Sequence, residues 1–232
     1  MDLSDPTTTA LAAADALARA GHPFALYGGL LLAAYGEPRE TRDADFAVVD
    51  ATAVQVLAAL RAARVKAIVS FEGLVLGGLV LDRLALLGGK ALTGANTLDL
   101  VRPRCARYRA SALERAPRIR LRGKEVPVLS PEDFVLFKLL STRVRDLMDA
   151  ASVLRRTGRL LDAGLIRREV DALASETPEA GIRERLAELV RLSRDPLERR
   201  LHDDLSGEVH EMTPAQWKRL KTGTRLRHRR AR

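Results

Sequence analysis

The sequence predicts an α/β chain in which a mixed sheet flanked by helices is followed by a C-terminal helical bundle. Three observations predict it. Short apolar runs at 23–27, 46–49, 65–69 and 98–101 are separated by segments of helical periodicity, as when strands alternate with helices. From residue 130 onward the strand signals stop and only helical periodicity remains. Glycine, proline and serine clusters fall between the segments, where turns belong.

The elements follow in order. Residues 9–20 are Ala-rich, follow Thr7–Thr9 and end at Gly21, the signature of a capped amphipathic helix. Asp15 within this stretch, and the lack of a basic start, argue against a targeting segment. Residues 23–27 form a first short strand. Gly28 and Gly29 sit at a helix start, and Leu30–Tyr35 make a turn or two before Gly36 and Pro38 stop it. Asp43-Ala44-Asp45 opens the second strand, which continues through Phe46-Ala47-Val48-Val49. Residues 51–63 read as a helix with Val54, Leu57 and Leu60 in phase. Val65–Val69 and Leu98–Val101 are strands, and the glycine-rich stretch 73–94 fits a hairpin or a short helix equally. Residues 105–116 are helical, and 118–128 form a hairpin around Arg122-Gly123-Lys124. Helices then cover 131–157, 162–174, 178–193 and 196–205, with turns at 175–178 and 193–196. The expected division is a core with its lead helix over 1–128, a helical domain over 129–205 and a basic tail over 206–232.

Composition narrows the function classes. At 232 residues and 47% hydrophobic, the chain can bury a substantial core, which excludes a disordered protein. Aromatics are only 4%, so Leu, Ala and Val must fill that core. The single cysteine, Cys105, excludes an internal disulfide and a cysteine zinc cluster, and it fits a reducing, cytoplasmic setting. His22, His202, His210 and His228 are scattered without metal-ligand spacing. No apolar run has the length of a membrane span. Charge is unevenly placed. Residues 213–232 carry eight basic side chains and no acid, which is +8 of the net +9. Within that tail, Trp217, Lys218, Arg219, Lys221, Arg225 and Arg227 combine cations with an aromatic ring. This suits a nucleic-acid backbone through counterion release and stacking. A solubilising tail has the same composition.

The stretch 27–46 carries the chemistry. In a strand, alternation puts Asp43 and Asp45 on one face and turns Ala44 and Phe46 into the core. Two adjacent carboxylates repel, and a divalent cation removes that cost; Mg²⁺ prefers one or two carboxylates plus substrate phosphates. Gly28 and Gly29 let the backbone approach a phosphate beside the amides of a helix start. One segment therefore supplies both halves of a site for Mg²⁺ and a nucleoside triphosphate. Asp99, flanked by Leu98 and Leu100, stands on the strand face opposite those neighbours. Thr41, two residues before Asp43, fits strand propensity.

Tyr27-Gly28-Gly29, then residues 30–42, then Asp43-Ala44-Asp45 ahead of an apolar strand resembles the signature of the nucleotidyltransferase superfamily, the polymerase-β-like group. Residues 126–149 add to this. Ser130-Pro131-Glu132-Asp133 starts a helix, with Ser130 as its cap and the acids at its positive end. Lys138 follows, then Arg143-Val144-Arg145-Asp146-Leu147-Met148-Asp149. This order is similar to AbiEii-type nucleotidyltransferases. Phe137, Leu140, Val144, Leu147, Ala151 and Leu154 make the core stripe of one long helix, and Lys138, Thr142, Arg145 and Asp149 lie opposite. For an isolated helix, that polar face would be a solvated side with an Arg145–Asp149 pair.

The resemblance implies Mg²⁺-dependent transfer of a nucleotide from an NTP. Asp43 and Asp45 hold the metal, Asp99 is the candidate for the superfamily's third carboxylate with Asp82 as its rival, and Lys138 and Asp146 complete the catalytic set. Gly28, Gly29, Thr41, Lys138 and Arg143 take the nucleotide. It also implies a toxin of a toxin–antitoxin pair, with a cognate antitoxin as partner and RNA, especially the tRNA 3′ end, as acceptor. Transfer onto a protein hydroxyl, as in AMPylation, is the alternative within the enzyme class. A non-catalytic RNA- or partner-binding module on the same fold is the alternative outside it.

Overall fold

A computed structural model describes residues 5–87 and 97–194. The first helix, α1 (Pro6–Arg19), starts at Asp5, whose carboxylate accepts hydrogen bonds from the Thr7 amide and the Thr8 hydroxyl. Its small side chains let it lie close on the sheet, and Ala10, Ala13 and Leu17 are fully buried. The strand β1 (Phe24–Tyr27) leads through Gly28 into α2 (Gly29–Tyr35). A loop returns to β2 (Asp43–Val48), and α3 (Ala53–Ala62) follows under a Thr52/Gln55 capping box. Next come β3 (Ala67–Leu76), β4 (Leu79–Leu86) and β5 (Thr97–Pro103). The five strands form one mixed sheet in the order β1-β2-β5-β4-β3, in which only β2 and β5 run parallel. Helices α1 and α3 pack against each other and against the sheet. Ala44 and Phe46 are wholly buried, as alternation requires, which leaves Asp43 and Asp45 together on the other face.

The glycine-rich stretch resolves as a hairpin as far as it is described. Gly77 has φ +64, and a Cβ there would lie 2.7 Å from the Leu140 carbonyl oxygen. The turn thus nests against another backbone, where only glycine fits. Its remaining residues, 88–94, lie outside the described residues. Two expectations shift at α3. The strand begins at Ala67 rather than Val65, because the Val65 amide still bonds back to the Leu60 carbonyl. Val54, expected in the buried stripe, is 61% exposed, while Val56 and Leu60 are buried. The two-stranded ribbon of β6 (Arg118–Leu121) and β7 (Lys124–Pro127) follows α4 (Ala106–Glu114) as expected. Its turn uses positive φ at Arg122 and Gly123, the geometry that matches strand twist.

The larger correction concerns residues 131–157. They form two helices rather than one: α5 (Pro131–Leu140) and α6 (Val144–Thr157), split where Ser141 and Arg143 adopt extended backbone. Outside groups satisfy the carbonyls exposed by the break. The Gly78 amide donates to Leu140 O at 2.9 Å, and Arg185 Nε donates to Leu139 O at 3.0 Å. Every residue of α5 is buried, so it has no solvated face. Val144, expected in the core stripe, is 76% exposed because the break turns it outward. The helices α7 (Ala163–Glu176) and α8 (Ile182–Ser193) complete the bundle, with Gly181 at φ +57 interrupting the expected helix 178–193. The helix expected at 196–205 lies outside the described residues. No helix among the described residues is long and apolar enough to cross a membrane.

Candidate active site

The site sits where β1 and β2 meet the start of α2. Gly28 takes φ +75, and a Cβ on it would fall 1.9 Å from Asp45 Oδ2. The backbone of the glycine pair is therefore pressed onto the carboxylate of the strand motif. Gly29 is equally constrained, since its Cβ would lie 2.6 Å from the Thr41 hydroxyl oxygen. Thr41 packs over Gly29, and its hydroxyl donates a long bond, 3.4 Å, to the Asp43 carbonyl.

Parallel pairing places Asp45 directly beside Asp99 and Asp43 beside Thr97. The three acids named from the sequence thus share one face of two adjacent strands. Asp43 has a 41% exposed side chain, and its Oδ1 accepts from the Thr97 hydroxyl. Burial, with Asp99 and Asp43 adding like charge, pushes the Asp45 carboxyl up to about 7. Burial also raises Asp99, against the pull of Arg83. That guanidinium, on β4 opposite Asp99, grips it through two bonds of 2.6 and 2.7 Å. It also reaches within 3.7 Å of Asp43 Oδ2. Asp82, the rival third carboxylate, is one residue along β4 and so faces the other way. It is buried against Arg102 and accepts from the Gly73 amide.

Lys138 and Asp146 form a second, deeper cluster. The Lys138 ammonium lies 2.5 Å from Asp146 Oδ1 and 3.0 Å from Asp149 Oδ2, all nearly inaccessible, and 4.9 Å from the centre of the Tyr27 ring. Burial disfavours its charge, but Tyr27, Asp146 and Asp149 prevail and hold it well above the ordinary lysine range. Asp146 also faces a burial penalty, yet Lys138 and Arg143 bring it down to about 2. Arg143 Nε pairs with Asp146 at 2.7 Å while its side chain stays 45% exposed, and the charge of Asp45 acts on it. The Tyr27 hydroxyl is buried without a hydrogen-bond partner among the described residues.

Asp149 does not pair with Arg145 as the isolated-helix reading expected. Arg39 holds both its oxygens at 3.0 Å. Arg39 belongs to the loop between the glycines and Asp43, and the same loop is tied down twice more. Arg155 pairs with Glu37, and the Glu37 amide donates to the Ser152 hydroxyl. The polar side of α6 is thus a dock for the loop that carries Thr41 and leads into Asp43. Sequence reasoning missed Arg39 and Arg83. Strand alternation along β4 could have set Arg83 opposite Asp82; a loop residue such as Arg39 leaves no periodic signal. Trp217, Lys218, Arg219, Lys221, Arg225 and Arg227 lie outside the described residues.

Among the described residues, no group of three or more His, Cys, Asp or Glu could hold a metal ion by itself. Asp43 and Asp45 nonetheless fit one Mg²⁺, because that ion needs only one or two carboxylates when substrate phosphates supply the rest. The raised Asp45 is the strain a cation would relieve.

Residues 9–78 match the family model described as nucleotidyl transferase AbiEii toxin, type IV TA system. The matched span contains the glycine pair and both aspartates of the strand motif. No curated protein matches the chain. Among solved structures, an antigenic nucleotidyltransferase-like protein from Paracoccidioides brasiliensis is similar, with a TM-score of 0.47 and 18% identity over 80% of this chain and 92% of that one. The family match bears out the resemblance to the nucleotidyltransferase superfamily, AbiEii-like group, and with it the expectation of a nucleotidyltransferase.

Proposed function

We propose that the chain is a Mg²⁺-dependent nucleotidyltransferase that moves a nucleotide from an NTP to RNA, with the tRNA 3′ end as the favoured acceptor, and that it acts as the toxin of a toxin–antitoxin pair with a cognate antitoxin. The observation that carries this reading is the closeness of the Gly28 backbone to Asp45, which brings the start of α2 and the carboxylate pair together. Asp43 and Asp45 would hold Mg²⁺, which when bound neutralises charge on the reacting phosphate and the leaving pyrophosphate. Gly28 and Gly29 offer main chain to the triphosphate, and Thr41 lies beside them. The exposed guanidinium of Arg143 is placed to meet a phosphate without leaving Asp146.

Lys138, at 2% exposure, supports the site from below rather than from its mouth. Its charge holds Asp146 and Asp149, and through them Arg143 and Arg39. In this way the helical domain after residue 129 completes the site. The acceptor assignment draws on the basic tail, whose charge suits a nucleic-acid backbone.

The test is transfer of label from each α-labelled NTP, with Mg²⁺, onto total tRNA or onto cell protein, beside an Asp43→Ala/Asp45→Ala control. Label on tRNA that disappears in the control supports the proposal, and the preferred NTP names the specificity. Label on protein alone replaces RNA with a protein hydroxyl as acceptor. No label on either, together with no Mg²⁺-dependent NTP binding, refutes the enzyme reading.

A further inference from the structure

Asp99 stands where a third metal-binding carboxylate is expected, and both of its oxygens are already taken. Arg83 Nε and Nη2 meet them at 2.6 and 2.7 Å, the fork-to-fork geometry that makes a guanidinium–carboxylate pair strong and directional. The pair does not depend on a mobile loop. Arg83 and Asp99 are register partners on adjacent antiparallel strands, so the sheet itself holds them face to face. The Phe71 ring covers the guanidinium, 5.7 Å from its centre, and limits where the side chain can swing. Arg83 also lies 3.7 Å from Asp43 Oδ2 and so bridges two of the three acids. A guanidinium cannot shed its proton to make room for a metal.

The charges add up simply. Three carboxylates carry three negative charges, and one guanidinium with one divalent ion cancels them. A second divalent ion would have to displace Arg83 from Asp99 or sit against it.

From this geometry we infer that Arg83 takes the place of a second cation, so that the site binds a single divalent ion, on Asp43 and Asp45. The inference rests on the metal-dependent reading above and deepens it. Asp99 then positions Arg83 beside Asp43 and is not itself a metal ligand. Thr97, donating to the other oxygen of Asp43, fixes the direction in which that carboxylate faces the ion.

The experiment uses the full chain and Mn²⁺ alone as probe, followed by electron paramagnetic resonance and equilibrium binding. Wild type should bind one Mn²⁺ per chain with an uncoupled spectrum. Arg83→Met, which keeps the side-chain bulk and removes the charge, should bind the first Mn²⁺ about tenfold tighter or more. It should also take a second, spin-coupled ion through the freed Asp99. Arg83→Lys, which keeps the charge, should hold one. Two coupled Mn²⁺ ions in the wild type would overturn the inference. So would an Arg83→Met protein that is folded by circular dichroism and binds one ion with unchanged affinity. If Arg83→Met does not fold, the wild-type stoichiometry decides alone: one ion sustains the inference and two overturn it. Failure of the underlying metal reading looks different. In that case neither wild type nor any variant binds Mn²⁺, alone or with an NTP present, and both conclusions fall together.

Discussion

Replacing Lys138 with Met should destabilise the protein strongly before it does anything else. The substitution keeps most of the side-chain volume, so no large cavity opens. It removes one ammonium from between Asp146 and Asp149, whose side chains are 4% and 5% exposed. Breaking a buried pair by deleting one partner costs about 3–5 kcal/mol, because the remaining charge stays buried. Asp149 keeps Arg39, and Asp146 keeps Arg143 and Ser141, so the low end, about 3 kcal/mol, applies. For a chain of this size that lowers the thermal midpoint by about 6–12 °C. The pH dependence supplies an internal check. Asp146 is held at about 2, below its ordinary value of 3.8. A depressed carboxyl contributes stability that is full above the ordinary value and is lost as pH falls through the native one. The contribution is roughly 2 kcal/mol. Lys138 is the larger of the two cations that depress it. The stability gap between Lys138→Met and wild type should therefore narrow as pH falls from about 5 toward 2. Urea unfolding followed by circular dichroism at several pH values reads both numbers. A variant with a wild-type midpoint that has lost NTP binding would refute the reasoning and return Lys138 to direct contact with substrate.

The remaining predictions concern the mouth of the site. Gly28→Ala should reduce transfer activity by two orders of magnitude or more, since its Cβ would occupy the place of Asp45 Oδ2 and φ is +75. Gly123→Ala, also at positive φ but with open space around it, should cost about 1 kcal/mol of stability by urea unfolding and leave activity intact. Arg39→Ala should loosen the loop that leads to Asp43. NTP affinity should fall about tenfold by calorimetry, with the thermal midpoint moving by only a few degrees, because Glu37 remains paired with Arg155. In metal-free buffer the raised Asp45 carboxyl makes the native state hold its proton more tightly than the unfolded chain does. Its contribution is full at low pH and is lost as pH rises from the ordinary carboxyl range through about 7. The thermal midpoint should follow that fall in wild type, and Asp45→Asn should flatten it.

Much of the architecture was legible because it is written in local rules. The Ser130 helix start and the Arg122-Gly123 turn each follow from residues within a few positions of one another, whereas the first helix starts at Asp5, ahead of the expected Thr7–Thr9, and Thr52 caps α3 without having been singled out. The alternation around Asp43-Ala44-Asp45-Phe46 fixed which side chains share a face, and it did so without knowing what that face would meet. The order of the elements up to β2, and the presence of helices alone after residue 130, followed from periodicity in the same way. The match of residues 9–78 to a nucleotidyltransferase family model includes the elements up to β2.

What only the tertiary structure decided are the partners that lie far apart in sequence. Periodicity carries one helix through Ser141, and it took Gly78 and Arg185, brought in from elsewhere, to make breaking that helix affordable. Nothing near Lys138 says that all of α5 is buried, because burial depends on what packs against every side of a helix. Arg39 finds Asp149 across 110 residues, and Arg83 finds Asp99 only because β4 and β5 pair in one register. By itself the sequence determined that Asp43 and Asp45 stand on one face of β2, away from Ala44 and Phe46. The fold determined which of those charges are already neutralised by another charge of the chain, since ion pairing depends on distance in space and leaves no periodic trace along the chain.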